Sequence, residues 1–351
     1  MYFTLALLAE HFAALIQLML TGVQVQLMSK DSITEFLLLR RELQQRIPIP
    51  QIFSHIDNIL SFHSPEDFQS LFLTHVAHFD VDKSLLKKLA AFLLGRFDRI
   101  YQGQKYALQD EFVEYLAAGE VGGVGDGKCD RYYELNDKKI LHIRASEALI
   151  SEGTTGYSLW EASVALLALL SSSNNQLHEA FIGKRVLELG SGTGLGGLAI
   201  SALANPCRVL LTDVAQVHDT FTRPNLLLNR SLAANADSTV LHWNDLITDP
   251  HEYSIHFDTL VGCDIVYDPE ICSLLISAFK ALCCAKNSTI NTILLICTIR
   301  NPETFESFVG QLQELDGFKV EVSCIDPENL GDDIVLKSIE SFRIIKAIKN
   351  Q

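Results

Sequence analysis

The chain has 351 residues, 48% of them apolar, enough to bury more than one hydrophobic core. Its net charge of −15 excludes a protein that wraps a nucleic-acid backbone, which needs a basic stripe. Eight cysteines with no C-x-x-C spacing and no accompanying histidine cluster argue against a zinc site. They point instead to free thiols in a reducing compartment, and so to the cytoplasm.

Residues 1–27, MYFTLALLAEHFAALIQLMLTGVQVQL, are apolar but lack a basic start, and Glu10, His11 and Gln17 interrupt the run. That pattern disfavours both a membrane-spanning helix and a secretory signal. Residues 1–30 are therefore expected to be an extension, with Met28 opening an ordinary soluble start. Residues 31–120 read as a helical module. ITEFLLLRRELQQRI, EDFQSLFLTHVAHF, SLLKKLAAFLLGRF and LQDEFVEYLAAG carry apolar residues at a spacing near 3.6, with Asp31, Ser64 and Asp82 as caps. Residues 121–153 form a linker. It runs from the flexible break GGVGDG to a β-hairpin, RYYEL and KKILHIRAS, turning at Asn136-Asp137.

From residue 154 strands alternate with helices. LWEASVALLALL is followed by the strand RVLELG, the helix LGGLAISALA and the strand RVLLTD, then a helix ending in PNLLLNRSLAAN. The strands STVLHW, FDTLVGCD, NTILLICTI, KVEVSC and IESFRIIKAI complete the chain, with helices between the earlier ones. Such alternation predicts an α/β fold over 154–351, a mostly parallel sheet with helices on both faces. Ligands in open sheets of this kind bind at the carboxyl ends of the strands, near the switch point.

The stretch VLELGSGTGLGG, residues 186–197, is the sharpest local signal, with five glycines between Gly190 and Gly197. A ligand-free turn would not need so many, because each loses extra backbone entropy on folding. Gly192-x-Gly194-x-x-Gly197 with Asp213 further on also fits a dinucleotide loop, and Asp213 would bind ribose hydroxyls in either case. A P-loop is excluded, since no Gly-Lys-Ser/Thr follows. Three features favour S-adenosylmethionine. Glu188 precedes the first glycine by two residues, the preceding helical region exceeds 100 residues, and Asp264-x-x-Tyr267 stands at the end of the fourth strand. Trp160 opens a helix, and Trp243 ends the third strand beside the expected adenine pocket. Asn225 and Asn229 share one helix face and suit backbone binding near the ligand, capping or packing equally. The acidic run 326–333 suits either a basic substrate surface or a solvated loop.

Glu188-x-Gly190-x-Gly192-x-Gly194, Asp213, Trp160, Trp243 and Asp264-x-x-Tyr267 resemble the seven-strand methyltransferases, and within them the family 16 protein-lysine methyltransferases. Gly153-Thr-Thr-Gly156, Asn225-Leu-Leu-Leu-Asn229, Arg300-Asn-Pro-Glu-Thr304 and the helix EFLLLRRELQQRIP narrow the resemblance to the branch acting on elongation factor 2. The resemblance spans roughly residues 31–345. It implies a seven-stranded Rossmann-like sheet preceded by a helical module, and a monomer bound neither to membrane nor to nucleic acid. It further implies methyl transfer from S-adenosylmethionine to a lysine of elongation factor 2. Trp160, Glu188, Gly190, Ser191, Gly192, Gly194, Asp213, Trp243 and Cys263 would hold the cofactor, and Asp264 and Tyr267 would orient the amine. The chain departs from that pattern at His242, where an acid is usual, and at Cys263, where alanine is usual.

Overall fold

The computed structural model describes residues 30–77, 79, 81–102, 107–117, 127–135, 138–146, 158–172, 176–331, 333–336 and 338–350. The expected extension at 1–27, most of the glycine break, the hairpin tip Asn136-Asp137 and the stretch Gly153–Tyr157 lie outside them.

The helical region consists of α1 (Lys30–Gln44), α2 (Ile49–Leu60), α3 (Pro65–His75), α4 (Lys83–Tyr101) and α5 (Asp110–Ala117). Their apolar faces meet in a core that includes Phe36, Phe68, Phe72, Phe97 and Phe112, all fully buried. Burying each ring is worth about 1.5–3 kcal/mol. Ser64 caps α3, its Oγ accepting the Asp67 N–H at 3.1 Å. Asp31, expected as a cap, lies inside α1 instead. Helix α2 has no counterpart among the expected segments. Pro48-Ile-Pro50 reads as a breaker, yet Pro50 sits in the first helical turn, where its missing N–H costs nothing.

A hairpin follows, β1 (Lys128–Glu134) and β2 (Ile140–Ser146), antiparallel with Tyr132 opposite His142. Polar contacts fasten the helical region to it. Arg40 pairs with Glu134 at 2.7 Å. Asp82 caps α4 through the Leu85 N–H and also accepts the Asp130 N–H of β1 at 2.8 Å.

Beyond the hairpin come α6 (Glu161–Ser171), β3 (Arg185–Leu189), α7 (Leu195–Leu203), β4 (Arg208–Asp213), α8 (Arg223–Leu228) and β5 (Ala236–Val240). Then follow α9 (Trp243–Thr248), α10 (His251–His256), β6 (Thr259–Cys263), α11 (Pro269–Cys284), β7 (Thr292–Thr298), α12 (Pro302–Gln313), β8 (Phe318–Cys324) and β9 (Phe342–Lys349). The seven strands form one sheet in the order β5-β4-β3-β6-β7-β9-β8. β3 to β7 run parallel, while β9 is antiparallel to both its neighbours. Successive residues face opposite sides, so Val186, Val209 and Val261 pack with α6 and α7, whereas Leu187, Leu210 and Leu260 pack with α11. Because these strands are parallel, the carboxyl ends of β3, β4, β6 and β7 share one edge, and β4 and β6 flank β3, where the strand order reverses.

Asn225 and Asn229 attach the hairpin to this sheet. Asn225 accepts the Arg144 N–H and donates to the Arg144 carbonyl, at 2.9 and 2.8 Å. Asn229 does the same to His142, at 2.9 and 2.6 Å. The two side chains thus imitate a neighbouring strand along the free edge of β2, which settles their role as backbone binding. Asn225 also donates to the Thr193 carbonyl of the glycine loop at 2.8 Å. An Asn225→Asp change would set an oxygen against two carbonyls at a fully buried position. A loss of about 3 kcal/mol is expected, read as a lowered urea midpoint, and an unchanged midpoint would contradict this role.

The acidic run 326–333 is exposed at Asp326–Glu328, as a solvated loop would be, but its far end is tied down. Asp333 pairs with Arg41 of α1, and the Asp333 carbonyl and Val335 N–H both bond Gln45 at 2.7 Å. The Gly331 N–H donates to the Ala168 carbonyl of α6 at 2.9 Å. This segment straps the helical region to the sheet. All eight cysteines are unpaired, four of them buried. Among the described residues no helix is long and apolar enough to cross a membrane.

Candidate functional site

The glycine loop leaves β3 after Leu189 and enters α7 at Leu195. Gly190, Gly192 and Gly194 have φ of +68°, +55° and +84°, in the left-handed region that favours glycine. Their alternation coils the backbone back over β4. Ser191 is stitched to Thr212 twice, its N–H donating to the Thr212 carbonyl and its Oγ accepting the Thr212 N–H, both at 2.9 Å. The Gly192 N–H donates to Asp213 Oδ2 at 2.7 Å. The loop is therefore fixed by protein contacts.

Gly196 and Gly197 serve a different purpose. A Cβ at Gly197 would stand 2.6 Å from Glu188 Oε2 and 2.7 Å from Leu211 Cγ, and one at Gly196 would collide with Glu188 Oε1. These two glycines make room for the Glu188 carboxylate between β3 and the first turn of α7. Glu188 is 1% exposed. Burial pushes its pKa up to about 7; the Ser191 hydroxyl and the Gly197 N–H oppose this without offsetting it. Oε2 has no well-aligned donor.

A cleft of about 240 Å³ opens over this loop. Trp160, Gly190, Gly192, Asp213, Trp243, Cys263, Asp264 and Tyr267 all line it, so most of the expected site residues are brought together. Glu188, Ser191 and Gly194 are not in its wall. The sequence reading missed the apolar lining of Val214, Val217, Leu241, Ile265 and Ile271. Val214 follows Asp213 at a strand end and was findable; Ile265 depends on the tertiary path. Trp243 does not end a strand. β5 stops at Val240, and Trp243 is the first residue of α9. Its indole nonetheless borders the loop, 3.4 Å from where a Gly190 Cβ would be.

Each Asp213 oxygen accepts one backbone N–H, Oδ2 from Gly192 and Oδ1 from Val214 at 2.8 Å. Each keeps a further acceptor site. Burial raises the Asp213 pKa, against the Gly192 and Val214 hydrogen bonds. Cys263 ends β6, and burial holds its thiol well above the usual range, so it behaves as an inert wall.

Asp264 adopts a φ of +57° just past β6. Its side chain is only 1% exposed. Four donors converge on the carboxylate: the Thr298 N–H at 2.7 Å, the Thr298 hydroxyl at 3.0 Å, Arg300 Nη2 at 2.9 Å and the Ala162 N–H at 3.3 Å. The Thr298 hydroxyl, Arg300 and Ala162 share Oδ2, while Oδ1 accepts only the Thr298 N–H and keeps one acceptor site. Tyr267, 45% exposed, stands at the cleft mouth.

Gly190→Arg is expected to abolish ligand binding. The position needs a positive φ, and a Cβ there would already be 2.8 Å from Ile265 Cγ2. Calorimetry with S-adenosylhomocysteine checks this, and unchanged affinity would remove the loop from the site.

A sequence profile described as lysine methyltransferase matches residues 135–315, which contain every residue that lines the cleft. The human putative protein N-methyltransferase FAM86B2 is 31% identical over 210 residues, 57% of this chain and 62% of that protein. The human protein-lysine N-methyltransferase EEF2KMT is 31% identical over 232 residues, 63% of this chain and 67% of that protein. The chain thus spans 62% of the length of the first of these relatives. Among solved structures, SMU.776, a putative methyltransferase complexed with SAH, has a TM-score of 0.45 and 12% identity, over 74% of this chain and 66% of that one. The chain belongs to the lysine methyltransferase family.

Proposed function

We propose that the chain is a protein-lysine N-methyltransferase that uses S-adenosylmethionine and acts on a lysine of elongation factor 2, as a monomer in the cytoplasm. The observation that carries the chemistry is the cleft, walled by the glycine loop, Asp213 and Trp243 at the strand switch point. The substrate rests on the relatives named EEF2KMT.

The residues present fit the cofactor. Asp213 has one spare acceptor site on each oxygen, a match for two neighbouring ribose hydroxyls. Val214, Val217, Leu241 and Trp243 offer an apolar slot for a planar base. Glu188 Oε2 is a buried acceptor awaiting a donor, and an ammonium group would answer it. When bound, the cofactor supplies an electrophilic methyl on a sulfonium.

The protein's task is then to position and desolvate. With a reference pKa of about 10.4, roughly one lysine in a thousand is neutral near pH 7.4, a cost of about 4 kcal/mol. The Arg300 guanidinium bonded to Asp264 offsets the carboxylate's charge and so weakens any preference for a protonated amine beside it. Asp264 acts by fixing the cleft wall. Tyr267, at the mouth, borders the route by which the lysine enters and its proton leaves to water. Alignment of amine and methyl within the cleft accounts for the remaining acceleration.

The substrate is tested by incubating the chain with purified elongation factor 2 and radiolabelled S-adenosylmethionine, then hydrolysing the protein. Labelled methyl-lysine is expected. Label on other proteins but not on elongation factor 2 would overturn the substrate and keep the chemistry.

A further inference from the structure

We propose that Arg300 is a positioning residue that braces the Trp160 wall of the cleft, and that Asp264 serves to hold Arg300 in place. The inference rests on the cofactor reading of the cleft given above.

The Arg300 guanidinium lies over the Trp160 ring, its Cζ 4.6 Å from the ring centroid. One of its nitrogens, Nη2, is held by Asp264 Oδ2 at 2.9 Å. Trp160 lines the cleft and Arg300 does not, so the guanidinium backs the indole from outside. The same Asp264 oxygen accepts the Ala162 N–H, two residues past Trp160 at the start of α6. Asp264 therefore grips the tryptophan segment twice, once through backbone and once through the stacked guanidinium. Thr298, at the end of β7, completes the clamp through its N–H and hydroxyl.

This arrangement explains two features. A carboxylate bonded to four donors of the protein stands in the wall of a reaction cleft because it sets the wall's shape. And an arginine 39% exposed is kept where a lysine would also reach Asp264, because only a planar guanidinium can bond a carboxylate at its edge and stack on an indole with its face.

The test is Arg300→Lys, which keeps the charge facing Asp264 and removes the stacking plane. The protein has two tryptophans, so 5-fluorotryptophan labelling gives two fluorine resonances, assigned with a Trp243→Phe variant. In Arg300→Lys the Trp160 resonance should shift or broaden while that of Trp243 stays. Calorimetric affinity for S-adenosylhomocysteine should fall about fivefold, the scale of one partly exposed cation–π contact. An unmoved Trp160 resonance with affinity within twofold of wild type would overturn the proposal. So would a collapse of both resonances to their denatured positions, which would make Arg300 a general fold contact. A raised KM for the protein substrate with unchanged cofactor affinity would also overturn it, making Arg300 a substrate contact. Failure of the wild-type protein to bind S-adenosylhomocysteine at all would instead sink the cofactor reading itself.

Discussion

Asp264→Asn is expected to lower methyl transfer by at least about 100-fold and to cost roughly 2–3 kcal/mol of stability. The carboxylate satisfies four donors, three of them on Oδ2. An amide keeps one acceptor oxygen, and with that oxygen in the Oδ2 position its NH2 faces the Thr298 N–H in a buried site. Arg300 also loses its counter-charge. The partial exposure of Arg300 places the cost at the low end for a broken ion pair. Backbone strain is not the cause, because asparagine tolerates the left-handed conformation at least as well as aspartate. The measurement is a denaturation midpoint beside a single-turnover rate with bound cofactor. Normal turnover in Asp264→Asn would contradict the clamp.

Glu188→Gln is expected to act in opposite directions on folding and binding. The folded pKa of Glu188 is raised, from a carboxylate's usual 4.5 to about 7. A raised folded pKa means that the native state binds the proton more tightly. The associated stability is complete below the unfolded pKa and is lost as pH rises through about 7. At roughly 1.4 kcal/mol per unit, the ionised carboxylate destabilises the ligand-free protein by about 3 kcal/mol at pH 8. Glutamine removes that term. The variant and wild type should be of similar stability near pH 4.5, with the variant gaining over wild type as pH rises to 8, read from urea midpoints at each pH. Binding should go the other way. S-adenosylhomocysteine affinity in the wild type should strengthen as pH rises through about 7, as the acceptor for its ammonium ionises, and the variant should bind weakly at every pH. Such opposed effects mark a residue kept at a stability cost for its function. Equal pH profiles for the two proteins would remove Glu188 from the cofactor's reach.

The parts of the fold that rest on periodicity were legible in the sequence. β3, β4 and β6 are apolar runs that lead into Gly190, Asp213 and Asp264, which line the cleft. The hairpin showed itself through alternation on either side of Asn136-Asp137. What escaped depends on partners distant in the chain. Asp264 meets Ala162 and Thr298, 102 and 34 residues away, and no local pattern shows that four donors converge on it. Arg300 stood out only within RNPET, with no role attached, because its contact with Trp160 is made by the fold. Gly196 and Gly197 looked like ligand glycines, yet they accommodate a carboxylate from the preceding strand. Helix α2 was hidden by Pro48 and Pro50 at its start, and the α9 start at Trp243 by Leu241-His242, which reads as a continuation of β5. The acidic run 326–333 was judged by charge alone, which cannot reveal that Arg41 and Gln45 were waiting for it.

The most direct measurement is a labelling experiment in a cell extract depleted of this activity. The protein is incubated with radiolabelled S-adenosylmethionine and the extract is resolved on a gel, with the Gly190→Arg variant alongside. One labelled band at the size of elongation factor 2, yielding methyl-lysine on hydrolysis and absent with the variant, is the predicted result. No labelled protein, under conditions in which the same preparation binds S-adenosylhomocysteine, would contradict a methyltransferase.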